Sequence, residues 1–116
     1  EISDNVGMSS STIVCYSKIK IGKNVMIGGN VCIYDTDFHS IRPEYRINTD
    51  KDQENMKMSP ITIEDNVFIG AHSTILKKTK IGKNSIIGAG SLVSGNIPPN
   101  EIWAGNPAIF IKEIKP

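Results

Sequence analysis

Two histidines, two cysteines and a short run of acids carry most of the chemistry available to this chain. His39 lies in Tyr34-Asp35-Thr36-Asp37-Phe38-His39-Ser40-Ile41. An imidazole changes charge near neutral pH, so His39 suits a general base that takes a proton from a hydroxyl. Asp35, Asp37 and His39 alternate, and in an extended segment all three project to one face. Asp37 or Asp35 is therefore expected to fix the imidazole tautomer and to steady the imidazolium. The alternative is that both acids are solvated loop residues. His72, in Ile69-Gly70-Ala71-His72, reads as a solvated corner residue. Cys15 and Cys32 show no CxxC or framework spacing and read as buried thiols of a cytoplasmic, reducing environment. Two histidines fall short of a three-histidine zinc site, so no metal is expected.

The elements that position these residues are written in a repeat. Four tetrapeptides end in Asn: Ile2-Ser3-Asp4-Asn5, Ile21-Gly22-Lys23-Asn24, Ile63-Glu64-Asp65-Asn66 and Ile81-Gly82-Lys83-Asn84. Six residues after each Ile stands Met8, Ile27, Ile69 or Ile87, and six further on Val14, Ile33, Ile75 or Val93. A period of six fits neither a helix nor one long alternating strand. It fits short strands joined by tight turns, three to a coil, with the aliphatics inward and bonds between coils at about 4.8 Å spacing. Val25, Val31, Val67, Ser73, Ser85 and Ser91 are expected inward as well. Asn5, Asn24, Asn66 and Asn84 should stack at one corner. Gly22, Gly28, Gly70, Gly82 and Gly88 are expected at corners that need unusual backbone angles. The expected architecture is an all-β parallel helix of about four coils in a single domain, residues 1–116.

The regular text breaks after Ile33 and resumes at Ile63, so residues 40–60 form one protruding loop; such an excursion is often functional. The hexads also fail near the end. Pro98 and Pro99 stop the last strand, and Ile109, Phe110, Ile111 and Ile114 in a tail from about residue 99 offer apolar cover for an end or a neighbour. Charged residues are 22% and the net charge is +1, which argues against nucleic-acid binding by bulk charge. No apolar run is long enough for a spanning helix. The chain opens EISDNVG without Met or a signal peptide, and reads as a fragment of a longer protein that lacks an N-terminal segment.

The segments IGKNVMIGGNVCI, ITIEDNVFIGAHSTI, KIGKNSIIGAGSLV and NIPPNEIWAGNPA resemble the hexapeptide-repeat acyltransferases. The maltose, galactoside and polysaccharide O-acetyltransferases are the most similar. The resemblance covers nearly the whole chain and implies a left-handed coil. It further implies a homotrimer with sites between subunits and acetyl-CoA as acyl donor. Thr36 to His39 resembles the place where these enzymes carry their catalytic histidine. The stretches Phe68 to Ala71 and Gly88 to Ser94 match those that line the pantetheine, which implicates Phe68, Gly70, Ala71, Gly88, Ala89 and Ser94. Asn106 and Lys112 occupy places that resemble further CoA contacts. A backbone N–H at Gly70 or Ala71 would hold the oxyanion, and Arg42, Tyr45 and Arg46 would help shape the acceptor pocket. Departures are Phe68 in place of Trp, Met8 in place of an acceptor-binding Asn, and Ile109 in place of a basic residue. The implied activity is O-acetylation of a sugar or of a cell-surface polysaccharide precursor. The competing readings are N-acetylation of an amino-sugar and a non-catalytic trimeric scaffold or CoA-binding protein.

Overall fold

The computed structural model describes residues 1–115, and its strands follow the hexads. In chain order they are β1 (Gly7–Met8), β2 (Thr12–Val14), β3 (Ile19–Ile21), β4 (Met26–Ile27), β5 (Cys32–Tyr34), β6 (Ile61–Ile63) and β7 (Phe68–Ile69). Then follow β8 (Thr74–Ile75), β9 (Lys80–Ile81), β10 (Ile86–Ile87), β11 (Leu92–Val93), β12 (Asn96–Ile97), β13 (Glu101–Gly105) and β14 (Ala108–Glu113). Every third strand pairs in parallel. The first sheet is β3-β6-β9-β12, the second β1-β4-β7-β10-β13 and the third β2-β5-β8-β11, so the chain winds as a three-sided, left-handed β-helix.

One core runs down the axis. Ile21, Ile63, Ile81 and Ile97 stack inside the first sheet, Ile27, Ile69 and Ile87 inside the second, and Ile33, Ile75 and Val93 inside the third. All are buried, and each such side chain contributes about 1.5–3 kcal/mol of transfer free energy. Small polar residues fill the tighter inward positions and turn their hydroxyls to carbonyls. Ser73 donates to Gly88 O at 3.1 Å, Thr79 to Leu76 O at 2.7 Å and Ser85 to Pro98 O at 2.6 Å. Among the described residues no buried side-chain nitrogen or oxygen lacks a partner.

The asparagine column forms at the corner between the first and second sheets, and it has a fifth member, Asn100. Asn5, Asn24, Asn66, Asn84 and Asn100 all hold φ between 60 and 68°, a left-handed conformation that Asn tolerates well. Their amides form a ladder of bonds at 2.8, 3.2, 3.0 and 2.8 Å. Asn30, His72 and Gly90 share the next corner, also at positive φ. The glycine columns behave differently from expectation. Gly22, Gly28, Gly70, Gly82 and Gly88 do not hold left-handed angles. They are glycines because the next coil passes too close: a Cβ on Gly70 would stand 2.6 Å from Ala89 N.

The remaining corner, between the third and first sheets, carries the excursion. The chain leaves after β5 and returns at β6, whose Ile61 is already buried and paired with Ile19, so the register resumes at Ile61 rather than Ile63. Two short helices lie in between, α1 (Pro43–Arg46) and α2 (Thr49–Asn55). The neck is pinned by an antiparallel bridge from Thr36 to Met58 and by Ser59 N–H donating to Asp35 O at 3.0 Å. The hexad register also outlasts its expected end. Asn96 and Ile97 still pair with β9, and β13 continues the second sheet through Ile102 against Ile86. Only β14 reverses, running antiparallel to β13 with Ile109, Phe110 and Ile111 exposed. Neither cysteine is the buried thiol expected: Cys32, next to the inward Ile33 in β5, is half-buried, and Cys15, just past β2 in the first coil, is exposed.

Candidate active site

Phe38 ends the extended run that began at β5. Its φ is 67°, rare for a bulky residue, and its N–H donates to Thr36 Oγ1 at 3.0 Å. His39 N–H bonds Asp37 O at 2.7 Å in the same turn. The histidine thus emerges at the mouth of the loop with its side chain 67% exposed. Its Nδ1 lies 2.6 Å from Asp52 Oδ2, and Asp52 Oδ1 accepts Ser40 N–H at 2.6 Å. Asp52 sits in the first turn of α2, whose N-cap Asn48 accepts Lys51 N–H at 3.1 Å. Its side chain is only 5% exposed.

The bond from His39 holds the Asp52 carboxyl below its usual range, helped by Ser40 N–H and by the charges of His39 and Arg46, and opposed by burial. Asp52 is therefore ionised at neutral pH and can only accept. Nδ1 then carries the imidazole proton, which leaves Nε2 with the lone pair that a general base needs.

The acids expected beside His39 lie elsewhere. The Asp37 side chain is a third exposed and pairs with Lys77 Nζ at 3.0 Å. Asp35 is the acid that is fully buried, and its two carboxylate oxygens accept Tyr16 N–H and Ser17 N–H, each at 2.7 Å. The turn at Phe38 breaks the alternation that would have put all three on one face. Neither acid bonds the imidazole; Asp52 does. Sequence reasoning missed it because no hexad reaches it. The signal was present in Asn48-Thr49-Asp50-Lys51-Asp52, an N-cap followed by first-turn acids.

The other candidate residues fall into two groups. Phe68 lies in an outward row of the second sheet, Met26-Phe68-Ile86-Ile102, that ends on Lys112 of β14. Met8, Met26, Gly28 and Phe68 line a shallow groove there. Ala71 and Ala89 follow at the corner between the second and third sheets, where Gly90 N–H bonds Ala71 O at 2.8 Å. Asn106 extends that corner, since Gly105 N–H reaches Ser91 Oγ at 3.1 Å. Gly70 and Gly88 face the neighbouring coil, and Gly70 N–H is bonded to Ile87 O at 2.8 Å. Ser94 lies apart from this group, beside Leu76 at the far edge of the third sheet, the edge from which His39 emerges. Arg42 is occupied by Glu44 (Nε to Oε1, 2.6 Å) and stands 5.7 Å over the Tyr45 ring, while Arg46 is exposed on α1. His39 and His72 occupy different corners, and no cluster of three His, Cys, Asp or Glu side chains forms among the described residues.

Residues 60–95 match the family described as bacterial transferase hexapeptide (six repeats), and residues 18–35 match the hexapeptide repeat of succinyl-transferase. The galactoside O-acetyltransferase of Escherichia coli strain K12 is 45% identical over 103 residues, 89% of this chain and 48% of that enzyme. A hexapeptide-repeat acetyltransferase from Vibrio cholerae superposes with a TM-score of 0.87 at 28% identity, over 99% of this chain and 62% of that one. A galactoside acetyltransferase in complex with coenzyme A gives a TM-score of 0.71 at 34% identity, over 95% of this chain and 64% of that one. The chain belongs to the hexapeptide-repeat acyltransferase family. It spans about half the length of the galactoside enzyme it resembles. No helix among the described residues is long and apolar enough to cross a membrane.

Proposed function

We propose that this chain forms the β-helical part of a cytoplasmic, acetyl-CoA-dependent O-acetyltransferase acting on a hydroxyl of a sugar or cell-surface polysaccharide precursor. The observation that carries this reading is the His39–Asp52 pair at the exposed mouth of the loop. His39 Nε2 takes the proton of the acceptor hydroxyl, and the resulting alkoxide attacks the thioester carbonyl. Asp52 steadies the imidazolium as it forms. Ala71 N–H faces the oxyanion. On collapse, the imidazolium returns its proton to the departing thiolate, so His39 ends as it began. Phe68, Ala71, Ala89, Asn106 and Lys112 form the strip along which pantetheine and its phosphates lie.

That strip and His39 are separated by the third sheet within one chain. A homotrimer removes the separation, because the corner of one subunit then faces the His39 side of the next. The apolar row Met26-Phe68-Ile86-Ile102 supplies contact surface for such packing.

The test is CoA release from acetyl-CoA across a panel of sugar hydroxyl and amino-sugar acceptors, for wild type and His39→Ala. Release with a hydroxyl acceptor, lost in His39→Ala while acetyl-CoA still binds, is the expected result. Transfer confined to amines moves the reading to N-acetylation. An intact trimer that neither binds acetyl-CoA nor releases CoA overturns it in favour of a scaffold.

A further inference from the structure

Six lysines are gathered on one side of the coil by a repeat within the repeat. Lys18-Ile19-Lys20-Ile21-Gly22-Lys23-Asn24 and Lys78-Thr79-Lys80-Ile81-Gly82-Lys83-Asn84 lay three lysines each across the first sheet, along β3 and along β9. β6 runs between them, so the two lysine rungs stand two strand spacings apart, about 10 Å. Ile19, Ile21 and Ile81 are buried, which turns Lys20 and Lys80 outward on either side of Thr62. All six lysines are exposed, and none forms an ion pair among the described residues. The other two sides carry uncharged rows at their outward positions: Met26, Phe68 and Ile86 on the second sheet, Cys32, Thr74 and Leu92 on the third.

The charge is graded along this side. Glu64 and Asp65 fall at the asparagine corner, where Glu64 Oε1 accepts Lys83 N–H at 3.3 Å and Asp65 Oδ1 accepts Lys23 N–H at 2.8 Å. In the first coil Glu1 lies beside Lys20 and Asp4 beside Lys23, through the Ile2–Ile21 bridge and the bond from Asn24 N–H to Asp4 O. The excess of positive charge therefore falls on Lys18, Lys20, Lys78 and Lys80. A groove of about 200 Å³ beside Lys20, Thr62 and Lys83 prolongs this quartet towards the asparagine corner. Its other end is the corner from which the loop leaves, where Lys77, next to Lys78, pairs with Asp37.

We propose that the outer face of the first sheet is a binding surface for an acidic glycan, an extended chain bearing carboxylates, held by Lys18, Lys20, Lys78 and Lys80. Compact phosphate sites are built on free backbone amides and forked arginines. Here the N–H groups of Ile21, Ile61, Thr62 and Lys80 are used in the ladder between coils, and the two lysine rungs contain no arginine. Lysines on flexible stems, spread over an open face, suit an anion whose charges repeat, since many weak contacts then act together. The outward row Lys20-Thr62-Lys80-Asn96 has no apolar side chain to enter a bilayer and no ring on which a nucleobase could stack. Thr62 and Asn96 instead offer a hydroxyl and an amide to sugar hydroxyls. This binding is separate from acetyl transfer and stands or falls without it.

The test uses the full chain without acetyl donor and a fluorescein-labelled oligogalacturonate, read by fluorescence anisotropy at low and at high salt. A neutral maltodextrin, vesicles containing phosphatidylglycerol and duplex DNA compete in turn. Wild type should bind the oligogalacturonate at low salt and release it at high salt, and maltodextrin should not compete. Lys20→Gln with Lys80→Gln removes two charges with little change of shape and should raise Kd about tenfold. Lys20→Glu with Lys80→Glu should weaken binding further, and a thermal melt checks that both double variants fold as wild type does. Lys51→Glu with Lys115→Glu makes the same change of net charge away from this face and should leave Kd within about twofold of wild type. The proposal is overturned if wild type does not bind oligogalacturonate at low salt, or if the Gln pair binds it as wild type does. It is equally overturned if the Lys51 and Lys115 pair weakens binding as much as the Lys20 and Lys80 pair, which would make the attraction one of net charge. Vesicles or DNA that displace the oligogalacturonate at lower charge concentration would give the face to a lipid surface or a nucleic acid instead.

Discussion

Asp52→Asn separates the dyad from its alternatives more cleanly than removal of the histidine. Asp52 accepts two donors, His39 Nδ1 and Ser40 N–H. An asparagine has one accepting oxygen, and Ser40 N–H is a fixed donor that claims it. The amide NH2 then faces Nδ1, which must become the acceptor, and the imidazole proton moves to Nε2. The ring keeps its place and loses its base. In a fully buried pair such a tautomer error costs about 10⁴ in kcat. His39 is 67% exposed, so water competes for both ring nitrogens and partly restores the useful tautomer. The expected fall in kcat is therefore about 10²- to 10³-fold, with the KM for acetyl-CoA unchanged. The assay is thiol release at saturating acceptor, with circular dichroism and a thermal melt to show that the coil is intact. Activity within about threefold of wild type, with the same pH profile, would refute the reasoning and return the histidine to a role without a carboxylate partner.

Asp35→Ala should strip both acceptors from Tyr16 N–H and Ser17 N–H and destabilise the chain by about 2–4 kcal/mol, read as a lowered denaturation midpoint. Gly70→Ala should cost about 1–3 kcal/mol, since its Cβ would stand 2.6 Å from Ala89 N, whereas Gly7→Ala enters open space and should stay within about 0.5 kcal/mol of wild type; similar melts for both would refute the close-approach account. The folded Asp52 carboxyl lies below its ordinary value of 3.8. Its stabilising effect is therefore fully present above that value and is lost as pH falls through the lower folded value. Amide hydrogen exchange in α2 should stay protected from neutrality down to about pH 4 and open only below it, and opening well above pH 4 would refute this account.

The parts of the fold that repeat were legible, and the parts that occur once were not. Ile21, Ile63 and Ile81 declared their column because each recurs at a fixed offset, and the asparagines declared theirs in the same way. Asn100 escaped because Pro98-Pro99 hides the hexad before it, although its backbone and its side-chain bond continue the ladder. The glycines were placed at the right corners for the wrong reason: spacing locates a corner without saying whether it needs a left-handed angle or a missing Cβ. The position of His39 at the loop mouth was legible, because the hexads stop just before it. Its partner was not, because Asp52 is brought back by a helix held to the coil through its own bonds to His39 and Ser40 and through the neck at Thr36–Met58. The alternation of Asp35, Asp37 and His39 misled for a local reason, the reversal at Phe38.

The neck has a consequence for how such a protein changes over generations. β3 pairs directly with β6 and β5 with β8, so the coils on either side of the excursion close on each other without help from it. The loop hangs from a corner by Asp35, Thr36, Met58 and Ser59 and carries α1, α2 and the partner of His39 with it. It behaves as an interchangeable cartridge on a fixed spool. A transplanted segment of different length, joined at the same four residues and keeping His39, can alter what the histidine meets while every rung of the coil stays in register.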